Sequence, residues 1–487
     1  MTSIRSSVGW NALSLGGRQG LRVVTSLVLA GVLGQENFGI VGMATVYVTF
    51  VVIFVQFGFG TALVQKPELT DGDIGAATRL SLGSGLMVAV LTLFVAPLIA
   101  DFYRTDELTD VLRVLSVLVM LKALAIVPSS LLMREMRFRP LAAAEVAGSV
   151  AGAIVGITWA VTTKSYWAIV GQFIVTDAVT LVGILLVERR RRWQTSRADI
   201  LELSGFGGKL LATNMLNFVS GNGDNVVVGR VEGPIPLADY SLSYRVLSLP
   251  LQVVGQTVAR TILPTFSRLQ HDRPAVADLY YRSQRAIAAL VTGPLIVVAL
   301  AADDAIPWAF GEEWSSAVTA TQWIAVAGIL RLVLGNAGAT MVAMGHPGRQ
   351  FWWSLVTTVA STIGFIVGVQ WGIEGVAASI VILGVPLGLL GVVLVGRLIP
   401  VTPWGTLVRL VPIGLAGVTL LGIWWVAAGP TDDLPVVLAL IIRCSVTSVA
   451  YLGLIAMIPA IRHDVTRMLR RLPPTDATIP AEPQETT

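Results

Sequence analysis

Apolar residues run through this chain in long blocks parted by short polar breaks. Blocks of roughly 20 to 28 residues, each long enough for one membrane crossing, fall near 10–33, 38–63, 77–100, 111–132, 140–162, 166–187, 206–229, 238–262, 284–304, 317–343, 351–371, 375–398, 406–428 and 435–460. The pattern predicts an all-α integral membrane protein with about 14 transmembrane helices.

The breaks carry an orientation, because Lys and Arg gather in cytoplasmic connections whereas acidic residues weigh little. Every second break holds the cations: Lys66; Arg134, Arg137 and Arg139; Arg189 to Arg192 and Arg197; Arg268, Arg273, Arg282 and Arg285; Arg349; Arg397 and Arg409. Arg5 near the start and Arg462, Arg467, Arg470 and Arg471 near the end belong to the same set. The intervening breaks hold only Arg104, Lys164 and Arg230, beside acids such as Asp106, Glu107, Asp110, Asp303, Asp304, Glu312, Glu313, Asp432 and Asp433. A miscounted span would scramble this alternation, so both termini are expected in the cytoplasm. The segment after Arg5 has no small-residue cleavage site and reads as a retained first helix.

Composition narrows the class. Apolar residues make up 54% and charged residues 13%, against about 25% charged in ordinary soluble domains, which excludes a water-soluble enzyme. The net charge of +4 could suit nucleic acid, but the cations lie in breaks between apolar blocks, so membrane topology accounts for them and no nucleic-acid partner is expected. Cys444 is the single cysteine and lies in an apolar run, so neither an intramolecular disulfide nor a cysteine-only metal site can form.

The densest basic run, Glu188 to Arg192 with Trp193 and Arg197, follows the sixth block and precedes a glycine-rich restart at Gly205, Gly207 and Gly208. The boundary is placed there. Residues 1–200 form a lobe of spans 1–6, 201–400 a lobe of spans 7–12, and 401–462 two accessory helices. Residues 463–487 form a largely disordered cytoplasmic tail, since Pro473 to Thr487 has little to bury. Phe38 and Tyr240 open the second and eighth spans after a turn, and Met133 to Arg139 and Met344 to Arg349 close the fourth and tenth. Two parallel six-helix repeats around a central cavity imply a transporter with its substrate path between them.

Gly205 to Lys209 lacks the spacing and the Ser/Thr of a phosphate-cradling loop, so ATP hydrolysis is not expected. His271, His346 and His463 lie in separate connections without paired spacing, so neither a metal nor another cofactor is expected. Charged residues inside spans are more informative, since each costs about 2.5–3.5 kcal/mol at mid-bilayer unless it meets water or a partner. Arg18 and Arg22 share one face of span one, and Lys122, Arg245, Arg331 and Arg443 fall inside spans four, eight, ten and fourteen. A water-filled cavity lined by Arg18, Arg22, Arg245 and Arg331 explains most of this charge and favours an anionic substrate, phosphate or carboxylate, held by the guanidinium fork. For Lys122 and Arg443 the plainer reading is a cation that snorkels to a headgroup or belongs to a structural ion pair.

Asp177, Glu145 and Asp224 are candidates for binding a coupling proton or sodium, or equally partners of the arginines. Asn214, Asn217, Asn222 and Asn225 make span seven too polar to face lipid; they line the cavity, where amides suit sugar hydroxyls, or bond helix to helix. Gly148, Gly152 and Gly156 at four-residue spacing allow close helix contact. Pro250, Pro264, Pro294 and Pro386 can kink their helices.

The run LGQENFGIVGMATVYVTFVVIFVQFGFGTALVQ, the turn SLLMREMRFRPLA, the stretches GDNVVVGR and DYSLSYRVLSLPLQ, and ILPTFSRLQHDR resemble the polysaccharide transporter family. The likeness is to Wzx/WzxC-like and teichuronic-acid-exporter-like flippases, relatives of MATE-type transporters and the lipid II flippase MurJ. It spans nearly the whole chain up to about residue 400. The resemblance implies two six-helix lobes facing a central cleft. It also implies translocation of an undecaprenyl-diphosphate-linked oligosaccharide from the inner to the outer leaflet of a bacterial cytoplasmic membrane, by alternating access and often with an ion gradient. Asp224, Asn225, Gly229 and Arg230, and Tyr244, Arg245, Leu249 and Pro250, carry the matching motifs. Gly31 and Gln35 depart from the pattern, which usually has Arg and Pro there.

The expected function is therefore a flippase with a lipid-linked oligosaccharide as substrate, membrane lipids as surroundings and polysaccharide-assembly proteins as candidate partners. A MATE-type cation-coupled drug antiporter is the alternative among transporters, but it would need acids rather than arginines to dominate the cleft. A membrane component of polysaccharide polymerisation would need a large extramembrane loop with clustered acids, and a scaffold of an assembly complex would not translocate at all.

Overall fold

The computed structural model describes the backbone of residues 4–56, 59–190 and 196–470 and, within these, the side chains outside 4–18, 197–199, 201–210, 212, 249–250, 253–265, 267–268 and 467–470. The described residues hold helices and no strand. In chain order they are α1 (Ile4–Gln56), α2 (Phe59–Gln65), α3 (Asp71–Tyr103), α4 (Glu107–Arg134), α5 (Phe138–Thr163), α6 (Trp167–Val187), α7 (Arg197–Val231) and α8 (Pro234–Arg268). There follow α9 (Arg273–Phe310), α10 (Ser316–Leu334), α11 (Ala337–Ala343), α12 (Pro347–Gly368), α13 (Gly372–Gly396), α14 (Pro403–Ala428), α15 (Val436–Met457) and α16 (Pro459–Arg470).

Ten stretches of the described residues are long and apolar enough to cross a membrane, so the protein is multi-pass. Three of these stretches are divided by a break. Gln19–Gln56 bends at Gly34, whose φ of 74° suits a residue without Cβ, and Pro347–Gly396 turns through Val369–Trp371 into Gly372. The expected first two spans are thus two helices that meet at Gly34, whose backbone is non-helical, and the expected tenth is split at Gly335 and Asn336 into α10 and α11. The expected tail also begins later. His463 lies within α16 rather than in a connection, and helix continues to Arg470; Pro473 to Thr487 lie outside the described residues.

Successive helices run between two ends of the bundle. The first end holds Gly34, Arg104, Lys164, Gly233, Gly311, Trp371 and Thr431; the second holds Lys66, Glu135, Glu188, His271, Met344, Ile399 and Ile458. Bonds within each end agree. Asn37 Nδ2 donates to the Lys164 carbonyl at the first end, and Arg134 donates to the carbonyls of Leu63, Lys66 and Pro67 at the second. Exposed tryptophans gather near both, with Trp308, Trp371 and Trp425 toward the first and Trp352 and Trp404 toward the second, as two interfacial belts require.

Local chemistry fixes the helix starts. Thr70 and Asp73 form a capping box on α3, and the buried Asp73 carboxylate is also paired with Lys66 at 2.8 Å. Asp272 and Thr402 cap α9 and α14. Packing joins α5 to α6, α3 to α4, α9 to α10, and α12 to α13, while α1 lies along α8 and α7 touches both α3 and α12. The glycine stripe of α5 meets α6: a Cβ at Gly148 or Gly152 would overlap Thr180 or Thr176, and one at Gly156 would come within 2.9 Å of Gln172.

Gly152→Leu is expected to destabilise the bundle by about 1–3 kcal/mol through overpacking, read as a lower midpoint of thermal unfolding in detergent micelles. Gly83→Leu on α3, where a Cβ meets open space, should leave that midpoint unchanged.

Candidate functional site

Lys122 sits along α4 among apolar residues, where an ammonium needs water or a carboxylate. It has both. Its Nζ lies 2.7 Å from Asp177 Oδ2 on α6, and the two side chains remain 35% and 21% exposed. The pair lies in a wall common to two cavities, which also share Arg22 from α1. One, of about 590 Å³, is lined by Gln56, Gln65, Met133, Glu145 and Asn214 and reaches toward the second end. The other, of about 420 Å³, is lined by Thr45, Gln172, Thr176, Phe38 and Arg245 and reaches toward the first end.

That first end is closed. The Arg245 guanidinium stands over the Phe38 ring, 4.5 Å from its centroid. Phe38 meets the fully buried Trp314 edge-on at 6.0 Å between centroids. Gln35 Nε2 donates to Asp239 Oδ1 at 2.7 Å and to the Glu313 carbonyl at 2.6 Å. Gly39 approaches Pro234 so closely that a Cβ would collide with its carbonyl. Together, α1, α8 and the turn before α10 close the first end beside these two cavities.

A third cavity, of about 600 Å³, lies among α7, α10, α11, α12 and α13. Arg331 and Asp224 line it, and no residue of its wall belongs to the other two. Asp224 is almost fully buried and accepts from Tyr244 Oη at 2.8 Å, Tyr240 Oη at 3.1 Å and the Asn225 backbone N–H at 2.8 Å.

Among the residues singled out from the sequence, Arg22 and Arg245 thus come together with Lys122, whereas Arg331 lines a different wall. The side chain of Arg18 lies outside the described residues, as do those of Pro250 and Pro264. Asp177 pairs with Lys122, Glu145 lines the larger of the two linked cavities, and Asp224 is tied to tyrosines. Asn214 reaches a cavity; Asn217 is exposed, Asn222 bonds the Phe218 carbonyl of its own helix and Asn225 bonds Asp224. Arg443 is a structural cation, paired with Asp304 at 3.0 Å and Asp432 at 2.7 Å. No cluster of three or more His, Cys, Asp or Glu suited to a metal ion occurs among the described residues. Phe38 and Gln35 were not foreseen as functional; the departure of Gln35 from the family pattern was the one signal.

The family described as "Polysaccharide biosynthesis protein" matches residues 28–319. The chain belongs to that family. Among its relatives, the succinoglycan biosynthesis transport protein ExoT of Rhizobium meliloti (strain 1021) is 30% identical over 74% of this chain and 73% of its own. The lipopolysaccharide biosynthesis protein WzxC of Escherichia coli (strain K12) is 23% identical over 75% of each. The fold is that of the lipid II flippase MurJ in its inward closed conformation, with a TM-score of 0.76 at 14% identity over 92% of this chain and 98% of the other.

The second end carries an ion cluster outside the spans. Arg190 grips both carboxylate oxygens of Glu188, with Nε 2.9 Å from Oε1 and Nη2 2.8 Å from Oε2, and its backbone N–H adds a third bond. Arg190 also bonds Glu135, and Arg137 lies 3.7 Å from Glu188. The Arg190 guanidinium holds the Glu188 carboxyl below the usual carboxylate range, against the opposing effect of its burial, and the charge of Arg137 adds to this. A depressed native pKa contributes stability above the unfolded value of about 4.3 that is lost as pH falls through the native one. Glu188→Gln should therefore lower the thermal midpoint at pH 7, and the gap to wild type should close as the pH is taken below about 4. A gap independent of pH would exclude this ionic role.

Proposed function

We propose that the protein is a flippase that carries an undecaprenyl-diphosphate-linked oligosaccharide across the bacterial cytoplasmic membrane by alternating access. The observation that carries this reading is the grouping of Arg22, Lys122 and Arg245 around linked cavities. A diphosphate is an anion of the size and charge that such cations bind, the two guanidinium forks giving directed bonds and the ammonium a mobile charge. The hydrated cavity admits the polar headgroup and its sugars while the lipid tail stays in the bilayer.

Further support comes from the relatives, which are named for the biosynthesis of succinoglycan and lipopolysaccharide, and from a fold held in common with a lipid II flippase. The basic second end fits a cytoplasmic face with both termini inside. In that orientation the linked cavities open toward the cytoplasm and the seal of Gln35, Phe38, Gly39 and Trp314 faces outward. The lobes 1–200 and 201–400 rock about this site, and parting α1 from α8 at Gly39 and Pro234 opens the outer side.

Coupling falls to Asp177. Incoming phosphate competes with its carboxylate for Lys122, and a carboxylate so released takes up a proton or sodium ion. The balance of Arg22, Lys122 and Arg245 against Asp177 and Glu145 disfavours a transporter of cationic drugs, whose cleft would need net negative charge.

Arg22→Ala and Arg245→Ala should each lower translocation of a lipid-linked glycan in proteoliposomes by about hundredfold, the scale of losing a buried charged contact, with membrane insertion retained. Wild-type rates in both variants would remove the diphosphate mechanism. Asp177→Asn should still bind substrate but no longer respond to an imposed proton or sodium gradient; a preserved response would move coupling to another carboxylate.

A further inference from the structure

The cavity of α7, α10, α11, α12 and α13 has a wall that the cationic site does not use. Gln350, Ser354, Thr357 and Ser361 recur on α12 at helical spacing, and all four line this cavity beside Trp353. The other face of α12, with Trp352, Val356, Val359, Ile363 and Ile366, is exposed and apolar, as contact with lipid requires. Hydroxyls and an amide along the opposite face of such a helix are costly in a bilayer unless they meet polar partners.

The wall is ordered by bonds of its own. Gln350 Nε2 donates to Ser354 Oγ at 2.9 Å. Thr357 Oγ1 directs its proton at backbone carbonyls of its own helix, both at 3.0 Å, so the lone pairs of that oxygen are what it presents as an acceptor. Trp353 packs against Gly391, where a Cβ would come within 3.2 Å of the indole, and this close approach holds the ring in place. Arg331, Ser220 and Tyr244 come from other helices around the same space.

An amide, a run of hydroxyls, a guanidinium and a fixed indole match one ligand chemistry. Sugars present hydroxyls that both donate and accept, and their C–H faces lie well on aromatic rings. A volume of about 600 Å³ falls within the roughly 300–1,000 Å³ typical of small-ligand sites. We infer that this cavity is an oligosaccharide subsite, in which Trp353 stacks on a sugar ring while Gln350, Ser354, Thr357 and Arg331 bond its hydroxyls. The assignment rests on the flippase reading. It adds a division of labour, with diphosphate at Arg22, Lys122 and Arg245 and sugars at α12.

The test is equilibrium binding to the full chain in nanodiscs by native mass spectrometry. Two probes are compared at equal concentration: the lipid-linked oligosaccharide fraction extracted from cells that make the protein natively, and synthetic undecaprenyl diphosphate without sugar. Wild type should prefer the glycan-bearing probe by about tenfold, the scale of an aromatic contact plus a few hydrogen bonds. Trp353→Ala should bring that ratio close to one while affinity for the sugar-free probe is kept. Thr357→Val, which preserves side-chain shape and so guards against a folding defect, should lower the ratio by severalfold. Arg22→Ala should weaken both probes in parallel. An unchanged ratio in the two α12 variants, or no preference in wild type, overturns the subsite and leaves the diphosphate reading standing. Failure of wild type to bind either probe overturns both.

Discussion

A cation held within a bilayer must find water or a carboxylate, and the way each one is satisfied decides what it can still do. Arg443 bonds two aspartates and the hydroxyl of Thr431, with only 8% of its surface exposed. Its donors are spent on joining α9 to α15, so it can only brace the bundle. Lys122 has the single carboxylate of Asp177 and keeps a third of its side chain open to a cavity. Such an ammonium can exchange partners at modest cost, because the replacement anion arrives in a hydrated space. The same contrast in surroundings recurs among the described residues. Arg285 with the buried Asp464 ties α16 to α9, whereas Arg22 and Arg245 open onto the linked cavities.

Arg245 also connects the cavity to the closed end. Its guanidinium rests on Phe38, and Phe38 is one face of the packing around Trp314. A cation–π contact of this kind contributes about 0.5–2 kcal/mol, less than a charge-assisted bond to phosphate in a desolvated site. An anion that draws Arg245 into the cavity therefore removes support from the seal. In the proposed mechanism binding and gating share this side chain, and no long-range relay is needed to link them.

Local properties were readable from sequence and partnerships were not. The spans, the alternation of basic and acidic ends and the close face of Gly148, Gly152 and Gly156 follow from hydropathy and helical period, which need only neighbours along the chain. The bond from Gln35 to Asp239 joins residues 204 positions apart, and nothing in either segment names the other. Depth in the membrane was legible for Arg331, but its direction around α10 was not, because α10 packs against α8, α9 and α13 and its apolar residues mark no single face. That is why an arginine expected beside Arg22 lines another wall. The stripe of Gln350, Ser354, Thr357 and Ser361 was present in the sequence at regular spacing. It passed unnoticed because neutral polar residues barely depress a hydropathy window, whereas one arginine does. The exposed apolar face of α12 masked the polar face opposite it.

The closed end rests on a small set of contacts. At Gly31 the helix before the kink packs on Phe310 at what would be an ordinary Cβ contact of 3.5 Å and brings no charge of its own there. Gln35 supplies an amide that bonds Asp239 and the Glu313 carbonyl. A hydrogen bond from a neutral amide to a carboxylate contributes about 1.5–3 kcal/mol net, and the amide can turn to water when it breaks. Reversing a two-state equilibrium from 1:99 to 99:1 takes about 5.5 kcal/mol of differential binding. A latch built from this amide, one cation–π contact and the packing of Phe38 on Trp314 is of that order. In the proposed mechanism it holds one end shut and lies within the reach of a diphosphate that binds the two states unequally.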